Sequence, residues 1–140
     1  MNDSQYKYAG FGRRFLAVLL DGIVLYVISL LFDMVFHTNI VSHSAGTVGM
    51  HFSGLNTLIP VLYYVLSWAY LDGATIGKKI MKIKIIKADG SKLDVVSAFV
   101  RYLSYIVSSI PLGLGFFWVI WDSKKQGWHD KIAKTYVIHA

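Results

Sequence analysis

Two residues seven positions apart carry the strongest hint of chemistry in this sequence. Asp21 lies inside an apolar run, and Arg14 stands at the entrance to it. An acid well inside a spanning helix costs roughly 2.5–3.5 kcal/mol on insertion scales. Such residues therefore face a bundle interior or a water-filled cavity and pair with something. Seven helical steps return to within about 20° of the same face, about 10 Å along the axis, so Asp21 and an extended Arg14 share one stripe. That pair has two uses. It is a cation or proton site whose carboxylate pKa the arginine tunes, or it is an ion pair that fixes helix packing. Asp33, about 120° around the same helix and near its outer end, reads as a side chain reaching interfacial water. Arg101 opens a later apolar run, where it can snorkel to the interface or pair with Asp21 from a neighbouring helix. Asp122 and Asp130 flank a basic turn, Lys124-Lys125-Gln126-Gly127, together with Trp121, Trp128 and His129.

Other chemistries find no constellation. The chain has no cysteine, which excludes disulfides, CxxC metal sites and thiol nucleophiles. His37, His43 and His51 follow no recognised metal-ligand spacing, and the His129-Asp130 pair has no further ligands beside it. The stretch Gly73-Ala74-Thr75-Ile76-Gly77-Lys78-Lys79 is one residue short of a P-loop, and no parallel α/β pattern surrounds it. It reads as a turn leading from a helix into a strand. No Ser-His-Asp or paired-carboxylate arrangement is present, so neither an enzyme nor a cofactor is expected.

Composition sets the solvent. Of 140 residues, 55% are apolar and only 16% charged, against roughly 25% charged in soluble domains. Mean hydropathy is +0.51 and the pI about 9.5. All eight acids are Asp, and the net charge is +6. A basic excess raises nucleic acid or a membrane surface as partner. The hydropathy decides for the bilayer, with anionic lipid headgroups as the nearer partner of the cations and no nucleic acid.

Three apolar runs carry these residues. The first, 15–36, would reach about 33 Å as a helix, enough for a hydrocarbon core of about 30 Å. Arg13-Arg14-Phe15-Leu16 has the look of a twin-arginine signal, but the run is long for one, contains an acid and lacks a cleavage site after it. The second run, 52–71, holds no charge and crowds Tyr63, Tyr64, Trp68 and Tyr70 toward one end, as interface anchors do. The third, 95–121, is broken by Ser108-Ser109-Ile110-Pro111-Leu112-Gly113-Leu114-Gly115. It is one kinked span or a hairpin of two half-length helices. Every cation lies in 1–14, in 72–101 or in the tail from 122, and none in 37–54. The positive-inside rule makes the N-terminus and 72–94 cytoplasmic and 37–54 external; a broken hairpin would return the tail to the cytoplasm and is favoured. Between the runs, Met81, Ile83 and Ile85 alternate with Lys82 and Lys84, and Asp89-Gly90 is a tight-turn dipeptide. A cytoplasmic β-hairpin over 81–94 is expected, with the strand-like Thr135-Tyr136-Val137-Ile138 lying beside 81–87. The expected fold is an all-α membrane protein of three to four transmembrane or re-entrant helices with a small cytoplasmic β element. It forms a single domain over 8–138. Ser104, Ser108, Ser109 and Gly113 offer a small-residue surface for close helix approach in a homo-oligomer.

At these residues the sequence resembles the RDD family of small bacterial membrane proteins. The resemblance rests on Gly10-Phe11-Gly12-Arg13-Arg14 through Asp21, on Thr75-Ile76-Gly77-Lys78-Lys79 with Asp89-Gly90, on Arg101-Tyr102, and on Gln126-Gly127-Trp128-His129-Asp130 through Val137. It implies Arg14, Asp21 and Asp130 as the signature positions, with Asp122 the competitor for the third. It also implies the bacterial inner membrane as location and, from what has been proposed for some members, cation/proton exchange. The leading expectation is binding or transport of Na+ or H+ at Asp21, tuned by Arg14, with Asp130 at the cytoplasmic mouth. The alternative is a non-transporting scaffold or partner subunit in which the Arg and Asp residues are packing elements.

Overall fold

The computed structural model describes residues 6–36, 41–44, 47–50, 54–110 and 113–140. Helix α1 spans Phe11–Phe36 and is followed by the short strands β1, Val41–Ser44, and β2, Thr47–Met50. Next come helix α2, Gly54–Tyr70, one short turn of helix α3, Ile76–Ile80, and strand β3, Ile83–Lys87. Helix α4 covers Val95–Ser109; then follow α5, Leu114–Phe117, a 3-10 turn at Trp118–Ile120, helix α6, Trp128–Ala133, and strand β4, Thr135–His139.

The long helices are built inside out relative to those of a soluble protein. The buried residues of α1 are Ala17, Asp21 and Ser29, and those of α4 are Ala98, Arg101, Ser104 and Ser108. Their exposed faces carry Phe15, Leu19, Ile23, Val27 and Leu31 on α1, and Val96, Phe99, Leu103 and Ile106 on α4. Helices in water bury their apolar stripe; helices in lipid bring small and polar residues together and turn apolar side chains outward. With 26 residues, α1 is long and apolar enough to cross a membrane. By contrast α2 has 17 residues, about 26 Å, and is short for a straight crossing.

The third apolar run bends. α4 and the segment Leu114–Ile120 meet at 109°. The strands flanking that run lie side by side, with Ile83 opposite His139 and Lys87 opposite Thr135 in an antiparallel pair. Tyr8 bridges to Ile138, and the Ala9 N–H donates to the Val137 carbonyl at 2.8 Å. The three basic stretches of the chain are thus hydrogen-bonded into one platform, and the run between 95 and 121 leaves it and returns to it. A straight third span is incompatible with that pairing.

The platform is two-faced. Ile83, Ile85 and Val137 join the main core with Trp68, Leu93 and Ala98. Ile86, Tyr136 and Ile138 form a second cluster with Tyr6 and Tyr8. The expected β-hairpin over 81–94 does not form. The Asp89-Gly90 turn is present, with Gly90 at φ 86° and the Ser91 N–H donating to the Asp89 carboxylate. Beyond it, the edge of β3 is filled by loops, since Ile85 N–H donates to the Gly73 carbonyl and Lys87 N–H to that of Ser91. Asp94 then caps α4, accepting from the Ser97 N–H at 2.7 Å, so the chain enters a helix before a return strand can grow.

Of the small-residue surface expected to serve a homo-oligomer, Ser104 and Ser108 pack within the chain, whereas Ser109 is exposed and Gly113 half-buried. Ser104 and Ser108 are buried, and a Cβ on Gly115 would stand 2.5 Å from the Ser108 Cα. Pro111 and Leu112 of the break, His37 and His51 lie outside the described residues. Of His43 only the backbone, in β1, is described.

Candidate functional site

Asp21 and Asp130 are both fully buried, and each sits in its own polar cluster. Asp21 accepts from the Tyr63 hydroxyl at 2.7 Å and from the Gly77 backbone N–H at 2.8 Å on one oxygen, and from the Thr75 hydroxyl at 2.6 Å on the other. Thr75 is the N-cap of α3 and its oxygen accepts from the Lys78 N–H at 3.3 Å. A single carboxylate on α1 thus receives α2, the cap of α3 and the backbone of α3. Contact is close because position 77 is glycine: a Cβ there would lie 2.2 Å from the Ala17 carbonyl oxygen and 2.8 Å from Asp21 Oδ1. This is what the P-loop-like stretch does.

Arg14 does not pair with Asp21. Its guanidinium turns toward the platform, where it pairs with Asp130, donates to the Lys125 carbonyl and, through Nε at 3.1 Å, to that of Ala9. Nor does Arg101 snorkel or reach Asp21. It is 1% exposed, pairs with the other oxygen of Asp130 and donates to the Thr135 hydroxyl. The Gly127 N–H adds a 2.9 Å bond to Asp130 Oδ2. Burial pushes the Asp130 carboxyl up, but Arg101 and Arg14 outweigh it and hold the group well below the usual carboxylate range. Asp122 belongs elsewhere. It closes the turn after Trp121, accepting from the Lys124 and Gln126 N–H groups at 3.1 Å, and pairs with Lys131 at 2.9 Å. Asp33 meets backbone, accepting from the Val41 N–H at 2.6 Å.

Three participants take roles other than those expected of them: Trp68 is buried rather than an interface anchor, and His129 and Lys78 pack beside the Asp130 cluster. His129 Nδ1 lies 3.2 Å from the Ser108 hydroxyl, its ring packs against Tyr105 at 4.7 Å, and burial pushes its pKa down to about 3. Trp68, 0% exposed, lies between two cations, with the Lys78 ammonium 5.5 Å and the Arg101 guanidinium 5.4 Å from its ring. Lys78 is 3% exposed, and burial followed by the nearby Arg101 charge lowers its pKa to about 8. These roles follow from the meeting of α2, α3, α4 and α6, which residue spacing does not encode. Among the described residues no cluster of His and Asp is placed to hold a metal ion.

Comparison with known proteins gives a consistent set of likenesses. The model of the RDD family matches residues 8–134. The chain is 34% identical to the uncharacterized protein YxaI of Bacillus subtilis over 95% of this chain and 98% of that protein. It is 30% identical to the uncharacterized membrane protein YteJ of the same organism over 96% and 82%. A third relative, the proline-rich antigen of Mycobacterium leprae, is 38% identical over 56% of this chain but only 33% of its own length. No solved structure gives a significant match.

Proposed function

Since this chain belongs to the RDD family of membrane proteins, we propose that it is a multi-pass, non-catalytic scaffold of the bacterial inner membrane. In this reading it uses its charged signature residues to staple a cytoplasmic platform onto membrane helices. The observation that carries the reading is the closure of both carboxylates. Asp21 is occupied by Tyr63, Thr75 and Gly77, and Asp130 by Arg14, Arg101 and Gly127. A cation carrier needs ligands that can exchange protein donors for an ion, whereas every oxygen of the two carboxylates already meets a protein hydrogen bond or, at Asp130 Oδ1, the Arg101 ion pair. The platform also gathers the basic stretches on one side, which the positive-inside rule places in the cytoplasm with anionic headgroups nearby. The match to one third of the mycobacterial antigen supports a module that other sequence can be attached to.

Na+ or H+ exchange at Asp21 is the rival reading. In its favour, no cationic side chain pairs with Asp21 among the described residues, so that site holds a buried carboxylate with neutral donors. Purified protein in proteoliposomes separates the two. The scaffold reading expects no Na+ flux driven by a pH gradient above protein-free vesicles. A saturable flux lost in Asp21→Asn would overturn it. Single-cysteine labelling checks the placement: a Cys at Ser123 should react only from the cytoplasmic side.

A further inference from the structure

The molecule contains a cavity of about 580 Å3 that borders the staple. That size falls within the usual range for ligand pockets, roughly 300–1,000 Å3. Its walls come from α1, α2, α3, α4 and the α5 segment, and they divide by chemistry. Arg14, Lys78 and Arg101 all line it: Arg14 and Arg101 pair with Asp130, and Lys78 and Arg101 face the Trp68 ring. Phe15, Val18, Ile106 and Phe117 are among the apolar residues of the opposite part. These four are also among the exposed apolar side chains of the surface, so the cavity opens on the lipid-facing side of the helices.

Two groups in the cationic cluster lack the partners that burial demands. Lys78 is 3% exposed, and among the described residues its ammonium makes no close ion pair and no hydrogen bond; the face of Trp68 lies 5.5 Å away. Arg101 Nε is buried with no hydrogen-bond partner. A buried cation without a close ion pair is costly, and a buried donor without an acceptor costs about 1–3 kcal/mol. Asp21 and Asp130 both act on Lys78 at longer range, and three cations against two carboxylates still leave one positive charge in surplus, which an anion supplied from outside can balance.

We infer that this cavity binds an anionic single-chain amphiphile, its carboxylate or phosphate monoester set against Lys78 and Arg101 and its tail lying between α1, α4 and α5. The site shares Arg101 with the scaffold staple and is distinguished from it by Lys78, which neither carboxylate cluster uses as an ion-pair partner.

The test uses the full chain in nanodiscs of zwitterionic phosphatidylcholine and measures binding of oleate, oleoyl lysophosphatidic acid, oleoyl lysophosphatidylcholine and inorganic phosphate. Oleate or lysophosphatidic acid should bind at one site, and which of the two binds tighter identifies the headgroup. Lys78→Gln should weaken that binding about tenfold or more, the loss of a charge-assisted bond. Ile106→Trp, which fills the cavity and leaves every charge in place, should weaken it comparably. Lys79→Gln, the same charge change on an exposed neighbour, should leave it within about twofold. Equal binding of lysophosphatidylcholine would overturn the anionic headgroup. Equal competition by inorganic phosphate would overturn the tail. Unchanged binding in both Lys78→Gln and Ile106→Trp would overturn the site. None of these outcomes bears on cation flux, so the scaffold reading stands or falls separately.

Discussion

The two buried carboxylates solve one problem in opposite ways. Asp21 is surrounded by neutral donors, two hydroxyls and a backbone N–H, each aimed at a lone pair. Asp130 is held by two guanidinium groups that are themselves buried or nearly so, with side-chain exposures of 1% and 11%. In the first cluster the charge is dispersed over neutral dipoles, two of them hydroxyls that can rotate. In the second it is cancelled by charges that become orphans when it is removed. The difference teaches that burial alone does not say what a charged residue is worth, because the cost of deleting it is set by what remains behind.

Asp130→Asn should therefore be the most damaging change. Removing one partner of a buried ion pair costs about 3–5 kcal/mol, and here two arginines lose theirs. Thermal unfolding in mild detergent would show it, and adding Arg101→Met should return part of the loss by removing an unpaired cation. Gly77→Ala comes next. Its Cβ would collide with the Ala17 carbonyl, forcing α3 off α1 and away from Asp21, for about 1–3 kcal/mol of overpacking. If Gly77→Ala proved neutral, the close approach that organises the Asp21 cluster would be wrong.

Acid should act on the Asp130 side of the molecule first. His129 is buried neutral with its pKa near 3 against 6.5 for the free side chain, so the unfolded chain takes up a proton that the folded one refuses. Stability is complete above pH 6.5 and falls as pH drops toward 3, with a slope of up to one proton, about 1.4 kcal/mol per pH unit. His129→Gln should flatten that decline in a denaturation series. Asp130 works in the same sense but lower. Its depressed carboxyl keeps its contribution above the ordinary carboxylate pKa of 3.8 and loses it only as pH falls through the depressed value.

Asp21→Asn should cost less, about 1 kcal/mol. The amide oxygen can still accept from Tyr63 and Gly77, and the Thr75 hydroxyl can turn to accept from the amide nitrogen, since a hydroxyl serves either role. A loss as large as that of Asp130→Asn would erase the contrast between the clusters. The smallest effect is expected at the exposed pair of Lys84 and Asp72, 3.2 Å apart, where Lys84→Ala should change stability by no more than about 0.5 kcal/mol.

How much of this was legible in the residues differs between the two clusters. Asp21 stands out because a carboxylate in an apolar run is expensive, and its burial follows. The turn at Asp89-Gly90 and the placing of β4 beside β3 were also readable from local composition. The partner of Arg14 was not. Helical spacing puts Asp21 on its stripe, whereas the residue it meets is 116 positions away, on a helix of six residues that the tight packing of α4 and α6 brings in. Gly77 is a further case. Its value lies in what it lets through, an α1 carbonyl, and nothing adjacent to it in the chain announces that. The β-hairpin expectation failed for a related reason, since the edge of β3 was taken by Gly73 and Ser91 before residues 92–94 could claim it.

The separation of Arg14 from Asp130 has a consequence in time. At roughly 5–20 residues per second, the ribosome makes Arg14 about 6–23 seconds before Asp130 exists. For about the first half of that interval α1 carries both a guanidinium and a carboxylate whose eventual partners are still being made; Tyr63, Thr75 and Gly77 then become available to Asp21, and Arg14 waits on for Asp130. The helix must therefore wait at the insertion machinery or the interface with its charges hydrated or provisionally paired with each other. The Arg14–Asp21 stripe that the finished protein never uses as an ion pair is suited to that wait: it can serve as a nascent-chain clasp, undone when α3 and then α6 arrive.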